Sequence, residues 1–195
     1  MHDLPYSLMS ELQKHVDKGL PPVELWHPDV VRDIDLTIHR DGTWFYGGTR
    51  IKRPRMIKLF ASVLRRDEDE YFLVTPGEKC RITVEDVPFQ MILMEVAGIG
   101  KEQCLTLISD MADTIALDEA HPLRIERRDN EQGDDEWIPY VLVRGEMEGR
   151  LSRNVYYQLA DLLVSEHQDG EPWLGVWSHG KFFPLMRGAE AQEEA

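Results

Sequence analysis

The chain has little cysteine, little positive charge and no long apolar run, and each shortage narrows what it can be. Its 195 residues hold two cysteines, Cys80 and Cys104, with no CxxC spacing. A disulfide scaffold and an all-cysteine metal site are therefore excluded, and both thiols are expected to be buried. Apolar stretches such as MILMEVAGIG, at residues 91–100, are far shorter than the roughly 20 residues that a membrane-crossing helix needs. The opening MHDLPYSLMSELQKH has no cationic stretch leading into an apolar one. No secretory signal is expected there, and a soluble cytoplasmic protein is the default.

Cations are scarce: 22 Lys and Arg stand against 36 Asp and Glu, for a net charge of −14. Phosphate backbones are bound by clustered positive charge, so a protein that coats duplex DNA is not expected, nor is one that attaches to a membrane surface. Catalytic signatures are missing too. There is no GxGxxG or GxxxxGK, and the seven histidines form no HExxH or HxH. Ser109, Ser152 and Ser178 lack the GxSxG elbow that would expose a nucleophile. Nothing points to a metal site, a particular cofactor or catalysis.

What is present is the composition of a folded chain, 42% hydrophobic and 30% charged. Residues 7–18, SLMSELQKHVDK, place Leu8, Leu12 and Val16 on one helical face. Alternation then takes over: DIDLTIH puts Ile34, Leu36 and Ile38 on one side, Asp41-Gly42 signals a hairpin, and TWFYGG returns. Pro54 opens a predicted helix over residues 54–66, with Ile57, Phe60, Ala61 and Leu64 as its apolar face. The acids at residues 67–70 close it, and EYFLVTP and KCRITVED follow as strands about Pro76-Gly77.

From Pro88 a second series of strands runs through FQMILMEVAG, QCLTLIS, DTIALD and HPLRIERRD. NEQGDDEW reads as an exposed loop, and IPYVLVRG and EMEGRL as further strands. Ser152 caps a predicted helix over residues 152–166, and a hairpin turning at His179-Gly180 closes the fold before an acidic tail. The expected architecture is α+β: two abutting subdomains of mostly antiparallel strands, each with one main helix. The boundaries are 1–22 for an N-terminal helix and linker, 23–87 and 88–187 for the subdomains, and 188–195 for the tail. Both halves run strands, helix, strands, which suggests a structural duplication without a visible repeat.

One segment runs against the charge average. Arg50, Lys52, Arg53, Arg55, Lys58, Arg65 and Arg66 are seven cations without an intervening acid. Arg55, Lys58, Ser62 and Arg65 share a face of the predicted helix, opposite its apolar stripe. This is either a solvated face paired with the acids at residues 67–70, or an anion site in which arginine forks meet phosphate oxygens. A second group, Arg144, Arg150 and Arg153, is interspersed with Glu146 and Glu148, with which it could pair. Were the subdomains to face each other, this group and TPGEKCR would line a shared cleft for a small ligand.

DIDLTIHRDGTWFYGGTRIKRPRMIKLFASVLRR, YFLVTPGEKCRITVEDVPF, PYVLVRGEMEGRLSRNVYYQLADL and LGVWSHGKFF closely resemble an uncharacterised bacterial family, domain of unknown function 1285. The resemblance spans roughly residues 23–187. It implies an α+β fold built by duplication, with a C-terminal part of pleckstrin-homology-like type. It also implies a nucleotide-like ligand between the domains and a role in signal transduction. Its polar positions fall on Lys58, Thr75, Glu78, Lys79, Arg81, Glu85 and Asp86, and on Arg144, Glu148, Arg150 and Arg153. It gives none of them a catalytic role. Where the family pattern favours an apolar residue before Glu78, this chain has Gly77, which is expected to loosen the turn.

The expected function is binding of a small anionic or nucleotide-like ligand by Arg55, Lys58, Lys79, Arg81, Glu85, Arg144, Glu148, Arg150 and Arg153. The basic groups would bond phosphate and the acids would orient them. The alternatives are a protein-interaction module, and an enzyme of unrecognised chemistry.

Overall fold

In the computed structural model, residues 20–129 and 135–187 are described. They divide into two compact units, one ending at Pro88 and the other beginning at Phe89. The helix expected at residues 7–18, the middle of the acidic loop and the acidic tail lie outside the described residues. No helix among those described is long and apolar enough to cross a membrane. Each unit pairs a six-stranded sheet with one α-helix, and the fold is α+β.

The N-terminal unit is two three-stranded meanders with a helix between them. The first contains β1 (Val31–Ile38), β2 (Trp44–Tyr46) and β3 (Thr49–Arg50). Helix α1 (Pro54–Ser62) follows, then β4 (Leu64–Asp67), β5 (Glu70–Val74) and β6 (Lys79–Val84). The meanders join through a parallel pairing of β1 with β6, giving the order β3-β2-β1-β6-β5-β4.

Local chemistry sets the first hairpin. Gly42 takes φ +79°, and the Asp41 carboxylate accepts from the Thr43 N–H at 2.9 Å. The Thr43 hydroxyl and N–H bonds hold the Asp41 carboxyl below its ordinary value. Trp44, fully buried, stacks on Phe60 of α1 at 6.3 Å. Phe45, on the other face as alternation requires, meets the His39 ring edge-on.

The helix starts at Pro54 as expected but ends at Ser62, four residues early. Leu64 to Asp67 form the edge strand β4, zipped to β5 from Leu64↔Leu73 to Asp67↔Glu70. Leu64 is buried, as the helical pattern required, but as a strand residue. Arg55, Lys58, Ser62 and Arg65 therefore do not share one helical face, because Arg65 belongs to a sheet.

The C-terminal unit repeats the sheet plan. β7 (Phe89–Ala97), β8 (Cys104–Ser109) and β9 (Thr114–Ala116) form one meander, and β10 (Leu123–Asp129), β11 (Asp135–Arg144) and β12 (Met147–Leu151) another. They join through parallel β7 and β12 in the order β9-β8-β7-β12-β11-β10, which matches the first sheet strand for strand. Helix α2 (Arg153–Ala160) comes next. A third meander, β13 (Val164–Gln168), β14 (Glu171–Ser178) and β15 (Lys181–Arg187), makes its own sheet.

Ser152 caps α2, its hydroxyl accepting from the Val155 N–H, and Val155 and Leu159 face the core. This helix also stops short of the expected residue 166. Val164 to Gln168 instead pair with β14, so the final hairpin is the outer part of a three-stranded sheet. The acidic stretch read as a loop to Trp137 is shorter as well, since Asp135 to Trp137 already pair with β10.

Burial is not uniform among the acids. Asp110 follows β8, and its carboxylate accepts from the Gln90 N–H at 3.1 Å. Burial raises its carboxyl pKa, and neighbouring Asp113 adds to the effect. A raised folded-state pKa favours the protonated form, so this acid's contribution is favourable below the ordinary carboxylate range and is lost as pH rises through the raised value. Asp110→Asn keeps an oxygen for Gln90 and removes the charge. The variant is expected to be more stable than the parent near neutral pH and to converge with it in acid, as read by urea unfolding at both pH values.

Candidate functional site

The N-terminal unit contains a cleft of about 430 Å3 lined by Glu24, His27, Pro28, Arg65, Arg66, Asp67 and Lys79. Strand alternation builds one wall. Arg65 and Asp67 point from β4 to the same side of the sheet, as do Phe72 of β5 and Lys79 and Arg81 of β6. The linker before β1 forms the other wall. Its short 3-10 turn, Val23–Leu25, buries Val23 and leaves Glu24 and His27 exposed.

Arg65 holds these walls together. The residue is 8% exposed. Nη1 donates to the carbonyls of Val23 at 2.7 Å and Trp26 at 2.8 Å, while Nε and Nη2 form a fork on the Asp67 carboxylate at 2.7 and 3.0 Å. Five fixed donors let one side chain bond two loop carbonyls and a carboxylate at once. Asp67 also accepts from Lys79 Nζ at 2.8 Å. The Arg65 bond, with Lys79 in support, holds the Asp67 carboxyl below its ordinary value. Lys79 in turn lies 4.1 Å from the centre of the Phe72 ring.

The cleft is thus mixed in charge, with Lys79 and Arg65 against Asp67 and Glu24, while Arg66 turns to the other face of β4 and bonds the Glu68 carbonyl at 2.8 Å. None of its lining side chains has a hydroxyl or thiol. Among the described residues, no group of three or more His, Cys, Asp or Glu could hold a metal ion.

Of the nine residues expected to bind ligand, Lys79 lines this cleft. Arg81 lies next along the same face, but bonds Asp33 at 2.7 Å and reaches Glu70 at 2.8 Å. Glu85, beyond the end of β6, accepts from the Arg40 N–H at 2.9 Å and meets His39 Nδ1 at 2.8 Å, which ties down the first hairpin. Arg55 and Lys58 are exposed on α1.

In the C-terminal unit, Arg144 bonds Asp113 at 2.8 Å and covers the Phe89 ring. Glu148 accepts a two-bond fork from Arg124 at 2.6 Å on each arm, which holds that guanidinium charged well beyond its ordinary range. Asp113 and Arg124 thus bring to Arg144 and Glu148 partners from outside RGEMEGRLSR. Arg150 lies on β12 opposite Tyr140 and Gln90, and Arg153 is the exposed first residue of α2.

The TPGEK turn is firmer than Gly77 suggested. The Thr75 N–H and hydroxyl both donate to the Glu78 carbonyl, at 2.9 and 3.0 Å, and the Glu78 N–H donates back to the hydroxyl at 3.1 Å. Glu78 itself is buried and meets Arg32 at 3.1 Å. Sequence reasoning missed Glu24, His27 and Asp67 as cleft residues. Asp67 was legible only as one acid of a solvated turn, and nothing local ties residues 24 and 27 to residue 65.

Two family models match the chain: the N-terminal domain of DUF1285, a domain of unknown function, over residues 21–87, and the C-terminal domain of DUF1285, a protein of unknown function, over residues 88–185. The chain belongs to the DUF1285 family. It is similar to the crystal structure of a DUF1285 family protein from Silicibacter pomeroyi DSS-3, with 45% identity and a TM-score of 0.83 over 95% of this chain and 97% of that one. A DUF1285 family protein from Shewanella baltica OS155 is 27% identical, with a TM-score of 0.50 over 66% of this chain and 91% of that one. A search of curated proteins finds no match. Membership in DUF1285 carries the fold but no assigned activity, so the reading of function rests on the cleft.

Proposed function

We propose that this DUF1285 protein is a non-catalytic module that binds a small anionic, phosphate-bearing ligand in the cleft of its N-terminal unit. The observation that carries this is Lys79. Its ammonium sits over an aromatic ring with one N–H directed to Asp67, and an ammonium has three. Arg65 fixes the linker wall, so little ordering is left for the ligand to impose. Asp67 and Glu24 favour a ligand with donors as well as phosphate, as a nucleotide has. A mixed-charge cleft also suits a compact anion better than a long polyanion, in keeping with the net charge of −14. A signalling role would then consist of sensing such a ligand.

The test is calorimetric titration of the full chain with a nucleoside triphosphate and with inorganic pyrophosphate, at low and at moderate salt. Saturable binding that weakens with salt is expected. Lys79→Met should weaken it about tenfold or more, as loss of a charged hydrogen bond to phosphate would. No saturable binding at low salt, or equal binding by the variant, overturns the reading.

A further inference from the structure

The two cysteines were both expected to be buried, and only Cys80 is. Cys80 is completely buried on β6, and burial with nearby Glu78 pushes its thiol up to about 11. Cys104, the first residue of β8, is only half-buried, and its Sγ lies 3.6 Å from His179 Nδ1. His179 is remote in sequence, at the tip of the β14–β15 hairpin, where it takes φ +50° and Gly180 takes φ +72°.

That tip is clamped onto the start of β8 from three directions. The His179 N–H donates to the Gln103 carbonyl at 3.0 Å, the Gln103 side chain donates to the Trp177 carbonyl at 2.7 Å, and the Leu105 N–H donates to the Ser178 hydroxyl at 3.0 Å. Gln103 and Ser178 are themselves buried. These bonds flank Cys104 on one strand and His179 on the other, so the imidazole is held beside the thiol by the fold.

We propose that Cys104 is a reactive thiol, a site of reversible mixed-disulfide formation with low-molecular-weight disulfides, with His179 as its general base. Nδ1 of the neutral imidazole takes the thiol proton. The thiolate attacks one sulfur of the disulfide, a new S–S bond joins Cys104 to that half, and the old S–S bond breaks. The departing thiolate recovers the proton from His179. Cys104 is oxidised as the small disulfide is reduced, so no other oxidant enters.

The charged groups on the surrounding elements are Lys101 and Glu102 in the turn before β8, Glu95 on β7, Glu166 on β13 and Lys181 on β15. Lys101 is paired with Glu166 at 3.0 Å and Lys181 with Glu119 at 3.2 Å. His179 is the imidazole within reach of the sulfur, at 3.6 Å.

The experiment treats the full chain with oxidised glutathione across a pH series and follows adducts by intact mass and peptide mapping. A single adduct at Cys104 and none at Cys80 is expected, with a rate near neutral pH well above that of an isolated thiol. His179→Asn removes the base while keeping a residue that tolerates the left-handed backbone. It should slow the reaction about tenfold near neutral pH and leave it nearly unchanged at high pH, where the thiolate forms unaided. If that variant unfolds by circular dichroism, His179→Gly replaces it. Adducts at both cysteines, no adduct at Cys104, or superimposable pH profiles for parent and variant would overturn the proposal.

Discussion

Replacing Arg65 with alanine is expected to destabilise the N-terminal unit by about 3–5 kcal/mol, the range for removing one partner of a buried, hydrogen-bonded ion pair. The loss has three parts. The carbonyls of Val23 and Trp26 lose their charged donor, the Asp67 carboxylate loses its fork, and the linker loses its anchor on β4. Each stranded group bears a desolvation cost, whereas the intact bonds would net little over water. Arg65→Lys should recover only part of the loss, because a single ammonium cannot serve two carbonyls and a carboxylate with the same geometry.

The effect has a pH signature. Asp67 is held below the ordinary carboxylate range, so its contribution is present above its unfolded value and is lost as pH falls through the depressed one. The difference between parent and Arg65→Ala should therefore narrow in strong acid. Urea unfolding at neutral pH and at about pH 3, with the N-terminal transition followed separately in case the two units unfold independently, checks both statements. A loss below about 1 kcal/mol at neutral pH would mean that the linker is held by other contacts.

Gly175→Ala in β14 is the second large effect, with an expected cost of about 3 kcal/mol, the upper end for overpacking. A methyl at this position would collide with the Phe183 carbonyl oxygen and lie 2.6 Å from Phe182 Cζ. The first of these is backbone of the paired strand, which cannot swing away as a side chain can. Gly175 faces Pro184 at an irregularity in the β14–β15 register, and Pro184 is tolerated because β15 is an edge strand. Gly77→Ala is the control. Nothing lies within 4 Å of its added methyl, and that turn is already pinned through Thr75. It should leave stability unchanged or raise it by about 0.4–1 kcal/mol through the unfolded chain. Thermal unfolding of the three proteins side by side gives the comparison.

The clash at Gly175 illustrates which features were legible in sequence. A glycine within PWLGVWS reads only as a weak point in a strand, and its meaning comes from a carbonyl on the strand paired with it. Turns and caps, by contrast, are local chemistry. Asp41-Gly42, Pro54 at the start of α1 and Ser152 before α2 each act on the backbone within a few residues. The α+β class and the two strand-rich halves followed from the same local signals.

Helix ends were not local. Periodicity carried α1 through Leu64, because a core-facing leucine satisfies a helical stripe and a strand equally well. Competition with sheet pairing decided the matter at β4 and β13. Of the candidate site, the cations were visible as a run, but their partners were not. Arg65 reaches back 39 and 42 residues to its carbonyls, and Arg144 back 31 to Asp113.

By itself, then, the sequence determined most of the strands, with the turns, caps and charge segregation, since each depends on near neighbours along the chain. The tertiary structure alone decided the parallel joins of β1 with β6 and β7 with β12. It also decided which cations are already bonded and which thiol meets an imidazole. Those outcomes depend on atoms that only folding brings within a few ångströms of one another.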